Sequence, residues 1–171
     1  MPGLPNYIKR FNLWSIRPFS ASKSTKEEIS KGDLFSPVSC YPGSKKGILF
    51  FPDWSYYNPY QKLLYGNLNK LFGCSVFGFK PEDFSIDCMK AYLSKARILH
   101  LHWINVLYQL QDAQSRNNFI DALLWAKGKG LKIVWTVHNY ISHESENQQL
   151  ELEIRKRVAQ IADHLIVHGK P

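Results

Sequence analysis

The chain predicts an α/β fold, a doubly wound, mostly parallel, Rossmann-like sheet, and three observations carry that prediction. Five short apolar runs alternate with four stretches of helical period over residues 47–171. The run 131–137 (Leu-Lys-Ile-Val-Trp-Thr-Val) is apolar and β-branched on both faces, as a strand is when helices cover both sides of a parallel sheet. It stops abruptly on His138 and Asn139, and ligands of open α/β sheets sit beyond the carboxyl ends of strands.

Residues 1–46 hold Pro2, Pro5, Pro18, Pro37 and Pro42 among Ser and Lys without a sustained period, so they read as an irregular basic extension. Within them Tyr7, Ile8, Phe11 and Trp14 recur at helical spacing beside Lys9, Arg10 and Arg17. Two readings stay open there: a peripheral amphipathic contact with an anionic membrane, or an arm that is flexible or docks on its own domain. From Gly47 the pattern is regular. Gly47–Phe51 is a strand, and residues 60–72 form a helix with Leu63, Leu64, Leu68 and Leu71 on its stripe, closed by Gly73. Residues 74–79 form a second strand, 83–94 a helix and 97–103 (Arg-Ile-Leu-His-Leu-His-Trp) a third strand. The helix over 115–129 presents Phe119, Ile120, Leu123 and Leu124 and ends at Gly130, before the strand at 131–137. A helix over 145–162 buries Leu150, Leu152, Ile154, Val158 and Ile161, and 163–168 is the fifth strand. Right-handed crossovers with one reversal favour the order 2-1-3-4-5 for these strands, with the crevice between the first and third.

Composition narrows the function. Hydrophobic residues make up 44% of the chain, enough to fold one domain of this length. Three cysteines without C-x-x-C spacing indicate neither a disulfide framework nor a zinc knuckle. Residues 1–46 carry eight Lys or Arg against three acids, and the remainder fourteen against eleven, so most of the +8 charge lies in the extension. No nucleic-acid motif accompanies it, and no nucleic-acid partner is expected. Neither G-x-G-x-x-G nor G-x-x-x-x-G-K-[ST] occurs, which argues against a dinucleotide fold or a P-loop kinase. G-x-S-x-G is also missing, and Asp53 stands alone after the first strand, which disfavours a serine hydrolase and a phosphoreceiver.

The rim residues supply the candidates. Trp54, Tyr56, Tyr57 and Tyr60 surround Asn58 after the first strand; such rings stack on sugar faces, or equally pack beneath a helix. His100 and His102 share one face of the third strand with His138 ending its neighbour, a spacing that zinc can use. With no fourth ligand in view, a buried, hydrogen-bonded His100 is expected and no metal is assigned. His138 and Glu144 are the candidates for general acid or base chemistry.

Taken together, Asn58-Pro59-Tyr60, His100-Leu101-His102-Trp103, the segment Gly130–Asn139 with His143-Glu144 after it, and residues 162–168 (Ala-Asp-His-Leu-Ile-Val-His) resemble the amino-terminal domain of GT-B glycosyltransferases, bacterial family 4-like and xanthan-type glucuronosyltransferases above all. The resemblance covers residues 47–171. It implies half of a two-domain enzyme that moves a sugar from a nucleotide-sugar donor to a saccharide or lipid-linked acceptor, without metal or other cofactor, at the cytoplasmic face of the cell membrane. It implies further that His138 faces the transferred sugar, with Glu144 the other catalytic candidate, and that Tyr57, Asn58, His102, Trp103, Asn139 and His143 contact substrate. The carboxyl-terminal donor domain of that family has no counterpart in these residues, so the chain alone is expected to be inactive as a transferase. The alternative is a non-catalytic, flavodoxin-like binding module.

Overall fold

The computed structural model describes residues 35–142 and 145–168. In chain order these form β1 (Ser39–Tyr41), β2 (Lys45–Phe51), α1 (Pro59–Phe72), β3 (Cys74–Gly78), α2 (Ile86–Tyr92), β4 (Ala96–Leu101), α3 (Ala113–Gly128), β5 (Lys132–Val137), α4 (Gln148–Ile161) and β6 (His164–Val167). Short 3-10 turns occupy Pro81–Asp83 and Ile104–Val106. One six-stranded sheet runs β1-β3-β2-β4-β5-β6, parallel throughout except for the β1–β3 pair. The five parallel strands stand in the order expected from the sequence, and the fold is Rossmann-like α/β.

Local chemistry sets the helix ends. Asn58 caps α1 by accepting the Tyr60 N–H at 3.0 Å, Pro59 supplies the first turn, and Gly73 closes the helix in the left-handed conformation (φ 63°) that a side chain disfavours. Ser85, Asp112 and Asn147 cap α2, α3 and α4 in the same way. Gly47 is required by close approach: a Cβ there would lie 1.5 Å from the Ser75 carbonyl oxygen.

Helix α1 covers one face of the sheet, packing Tyr65 against Phe50, Ile48 and Val76. The opposite face carries the larger core, in which α2, α3 and α4 bring Met89, Phe119, Leu123, Ile154 and Val158 onto Leu49, Phe51, Leu99, Leu101, Ile133 and Trp135. The direction in which the chain winds across the sheet therefore reverses between the parallel strands β2 and β4, and the loops after them meet at the carboxyl rim.

Several boundaries differ from the sequence reading. The sheet begins before Gly47: Ser39–Tyr41 pairs antiparallel with β3, and Ser39 donates its hydroxyl proton to the buried Asp53 carboxylate. A three-residue strand between prolines is too short to show alternation. The α1 stripe is corrected as well, because Leu63 and Leu71 are exposed while Gln61 and Tyr65 are the wholly buried side chains. In α4, Glu151 and Arg155 share the buried face with Ile154 and Val158, and Leu124 of α3 faces outward. Helix α2 is shorter than the expected 83–94, since Pro81–Asp83 forms its own 3-10 turn. No helix among the described residues is long and apolar enough to cross a membrane. The basic-aromatic segment 7–17 lies outside the described residues, as do His143 and Glu144.

Candidate functional site: an aromatic and histidine rim

Four rings form a row along the carboxyl ends of the strands, and their order follows the order of the sheet. Trp54 comes after β2, Trp103 after β4, His138 after β5 and His168 after β6. Consecutive ring centroids lie 4.8, 4.1 and 5.4 Å apart, and the Trp103 and His138 planes differ by only 7°. Tyr60, from the first turn of α1, sets its edge against both His138 and His168 at centroid distances of 5.6 and 5.0 Å.

The loop bearing Trp54 is held from below by Gln61. Its amide donates to the Pro52 carbonyl and its carbonyl accepts the Trp54 N–H, each at 2.8 Å, and this explains why a polar side chain is wholly buried on α1. Asp53 accepts the Ser55 N–H at 2.8 Å. The loop after β5 is held by a buried ion pair, in which Arg155 meets Glu151 at 2.6 Å. Arg155 also donates to the Asn139 carbonyl at 3.0 Å, and Glu151 accepts the Ser142 N–H at 3.0 Å. Burial pushes the Glu151 carboxyl up, but the hydrogen bonds it accepts and the Arg155 charge more than offset that and hold it below the usual carboxylate range.

Behind the row lies a polar line on the α1 face of the sheet. The Tyr65 hydroxyl is hydrogen-bonded to His100 Nδ1 at 3.0 Å and to His102 Nε2 at 2.6 Å. His100 Nε2 meets Thr136 Oγ1 at 2.8 Å, and His102 Nδ1 meets His138 Nε2 at 3.1 Å. The register explains the diagonal, because Leu101 pairs with Trp135 and so each histidine of β4 sits one same-face step behind its partner on β5. Burial, together with the His138 charge, pushes His100 down to about 3; burial also holds His102 well below its ordinary value. His138 is pushed down to about 4, by its partial burial first and His168 second. All three rings are neutral at pH 7.

The sequence-derived site residues therefore divide. Trp103 and His138 come together at the rim. His102 is buried, bonded behind His138 rather than facing the open side. Asn58 spends its side-chain oxygen on capping α1, Tyr57 is exposed and stacks edge-on against Tyr56, and Asn139 is exposed with its carbonyl held by Arg155. His100 is buried and hydrogen-bonded, as expected. Both nitrogens of His100 and of His102 are engaged by protein groups, and no group of three His, Cys, Asp or Glu side chains among the described residues is placed to hold a metal ion.

Tyr65 and Thr136 escape the sequence reading. Thr136 and His138 repeat, on β5, the period-two spacing of His100 and His102 on β4, and that matched parity is the signal that finds Thr136. Tyr65 sits among the leucines of α1 with no spacing that marks it. A cavity of about 450 Å³ lined by Lys46, Lys90, Arg97 and Lys129 lies at the amino-terminal edge of the sheet, away from the rim. In comparison with known proteins, no family model, curated protein or solved structure matches the chain.

Proposed function

We propose that this chain forms the acceptor side of a glycosyltransferase cleft, the amino-terminal half of a GT-B fold, binding a saccharide on its aromatic rim. The observation that carries the reading is the row Trp54, Trp103, His138, His168, which begins at the point where the winding of the sheet reverses. A sugar presents an apolar C–H face and a hydroxyl edge, and a row of flat rings beside imidazole nitrogens complements both. In this account His138 meets a sugar hydroxyl, Trp103 and Trp54 carry the pyranose face, and Tyr57 and Asn139 extend the contact as exposed side chains. The donor is a nucleotide sugar held by a second domain, and the acceptor a free or lipid-linked saccharide at the cytoplasmic face of the membrane. Transfer would draw on placing donor and acceptor together in one dehydrated cleft.

Stacked rings also accept flat heterocycles, so the experiment must separate the two ligand classes. Isothermal titration of the purified chain with a panel of mono- to tetrasaccharides, with nucleoside diphosphates and with flavin mononucleotide does so. Saturable binding of a saccharide, weakened in Trp103→Ala, is the expected result. Binding of a nucleotide or flavin at the rim, with no saccharide bound, would replace this reading by that of a non-catalytic binding module.

A further inference from the structure

Four hydrogen bonds in series lead from the interior to the rim: Thr136 to His100, His100 to Tyr65, Tyr65 to His102, and His102 to His138. Five neutral groups make this series, and each brings one transferable proton. Every link needs one donor and one acceptor, and Tyr65 has one proton to give. If the Tyr65 oxygen accepted from both histidines, its own buried O–H would be left out of the series; with that proton given to one of them, two arrangements satisfy all four links. In the outward one, Thr136 donates to His100 Nε2, His100 Nδ1–H to Tyr65, Tyr65 to His102 Nε2 and His102 Nδ1–H to His138 Nε2, leaving the His138 proton on Nδ1. In the inward one every donor is reversed, His138 keeps its proton on Nε2, and its Nδ1 carries a lone pair.

Two considerations select the inward arrangement. It places all three imidazoles in the Nε2–H form that a free neutral imidazole favours. It also lets His138 take a proton on Nδ1 while its Nε2–H continues to donate to His102, whereas the outward arrangement leaves no basic nitrogen at the rim.

We propose that Thr136, His100, Tyr65 and His102 are positioning residues that lock the His138 proton on Nε2 and so present the Nδ1 lone pair to a hydroxyl of a bound saccharide. The final clause rests on the function proposed above; the proton position itself does not.

The test is long-range proton–nitrogen correlation spectroscopy on the uniformly 15N-labelled chain without ligand, with the His138 signals among the six histidines assigned from a His138→Gln sample. The expected spectrum has a pyrrole-type Nε2 and a pyridine-type Nδ1 on His138. Thr136→Val, near in shape and favourable in a strand, removes the acceptor of the His100 Nε2–H. An unpaired buried N–H is less tolerable than an unpaired lone pair, so the whole series reverses and the His138 proton moves to Nδ1, four hydrogen bonds along the series from the substitution. Tyr65→Phe produces the same switch from two links nearer, and serves if the valine variant does not fold. A His138 proton on Nδ1 in the unaltered protein, or a His138 tautomer indifferent to the substitution, overturns the proposal. Loss of stability alone, without a tautomer change, would show these residues to be merely structural. Failure of saccharide binding, measured separately, would leave the tautomer result standing.

Discussion

Trp103 lies flat on His138, with ring centroids 4.1 Å apart and planes inclined by 7°. The contact ties the loop after β4 to the end of β5 on the open side of the sheet, while the His102 bond restrains the same imidazole from the buried side. His138 is thus fixed by one apolar face and one nitrogen. A group with a task at the rim needs that degree of orientation.

Replacing Trp103 by Ala removes the stack but little of the core, since Trp103 is half-buried. Such ring pairs contribute about 0.5–1.5 kcal/mol beyond burial, so a urea titration should show a folded domain less stable by about 1–2 kcal/mol. Saccharide affinity should fall at least about tenfold, near 1.4 kcal/mol. Unchanged affinity would move the sugar off this rim.

Acid should destabilise the domain before any carboxylate is protonated. His100 and His102 have folded-state values below the unfolded one, so the unfolded chain binds more protons and stability falls as pH drops below the ordinary histidine range. The contribution of each buried ring is complete above that range and is lost progressively toward the folded-state value. Each ring costs about 1 kcal/mol between pH 7 and 5.5, from a slope of about 1.4 kcal/mol per pH unit. Urea midpoints at those two pH values check this, and Tyr65→Phe/His102→Leu should flatten the dependence.

Arg155→Ala should leave the Glu151 carboxylate buried without its partner, at a cost of about 3–5 kcal/mol. The double variant Glu151→Met/Arg155→Met should recover most of that stability. It should not restore the hold on Asn139 and Ser142, so limited proteolysis should cut the loop after β5 faster in both variants. Equal protection in the double variant would show that the ion pair does not restrain the loop.

Gln61→Leu keeps the volume but strands the Pro52 carbonyl and the Trp54 N–H. About 1–3 kcal/mol of stability should be lost, and Trp54 should shift out of the row, weakening saccharide binding without any change at His138. Calorimetry on this variant beside Trp103→Ala separates the two tryptophans.

The period of the apolar runs made the sheet legible, and right-handed crossovers with a single reversal between the first and third predicted strands made its strand order legible too. What period could not show was polarity inside the core. Leucines at helical spacing suggested that Leu63 and Leu71 face inward, yet α1 turns Gln61 and Tyr65 to the sheet because the loop after β2 and two histidines of β4 need polar partners there. The same cause hid Glu151 and Arg155, an i,i+4 ion pair that is buried beside the loop after β5. His138 and Trp103 were visible because a strand that ends on a polar or aromatic residue advertises its rim. His102 was visible too, but only the β4–β5 register shows that it stands behind His138 on the buried side.

The most direct test of the central claim is a saccharide titration followed by the indole N–H resonances of the 15N-labelled chain. Trp54 and Trp103 sit at the rim, whereas Trp125 lies on α3 on the far face of the sheet and serves as the internal control. The account predicts saturable shifts of the Trp54 and Trp103 signals, with the His138 ring moving in parallel and Trp125 still. Saccharide-induced shifts confined to other positions, or none at any concentration, would contradict it.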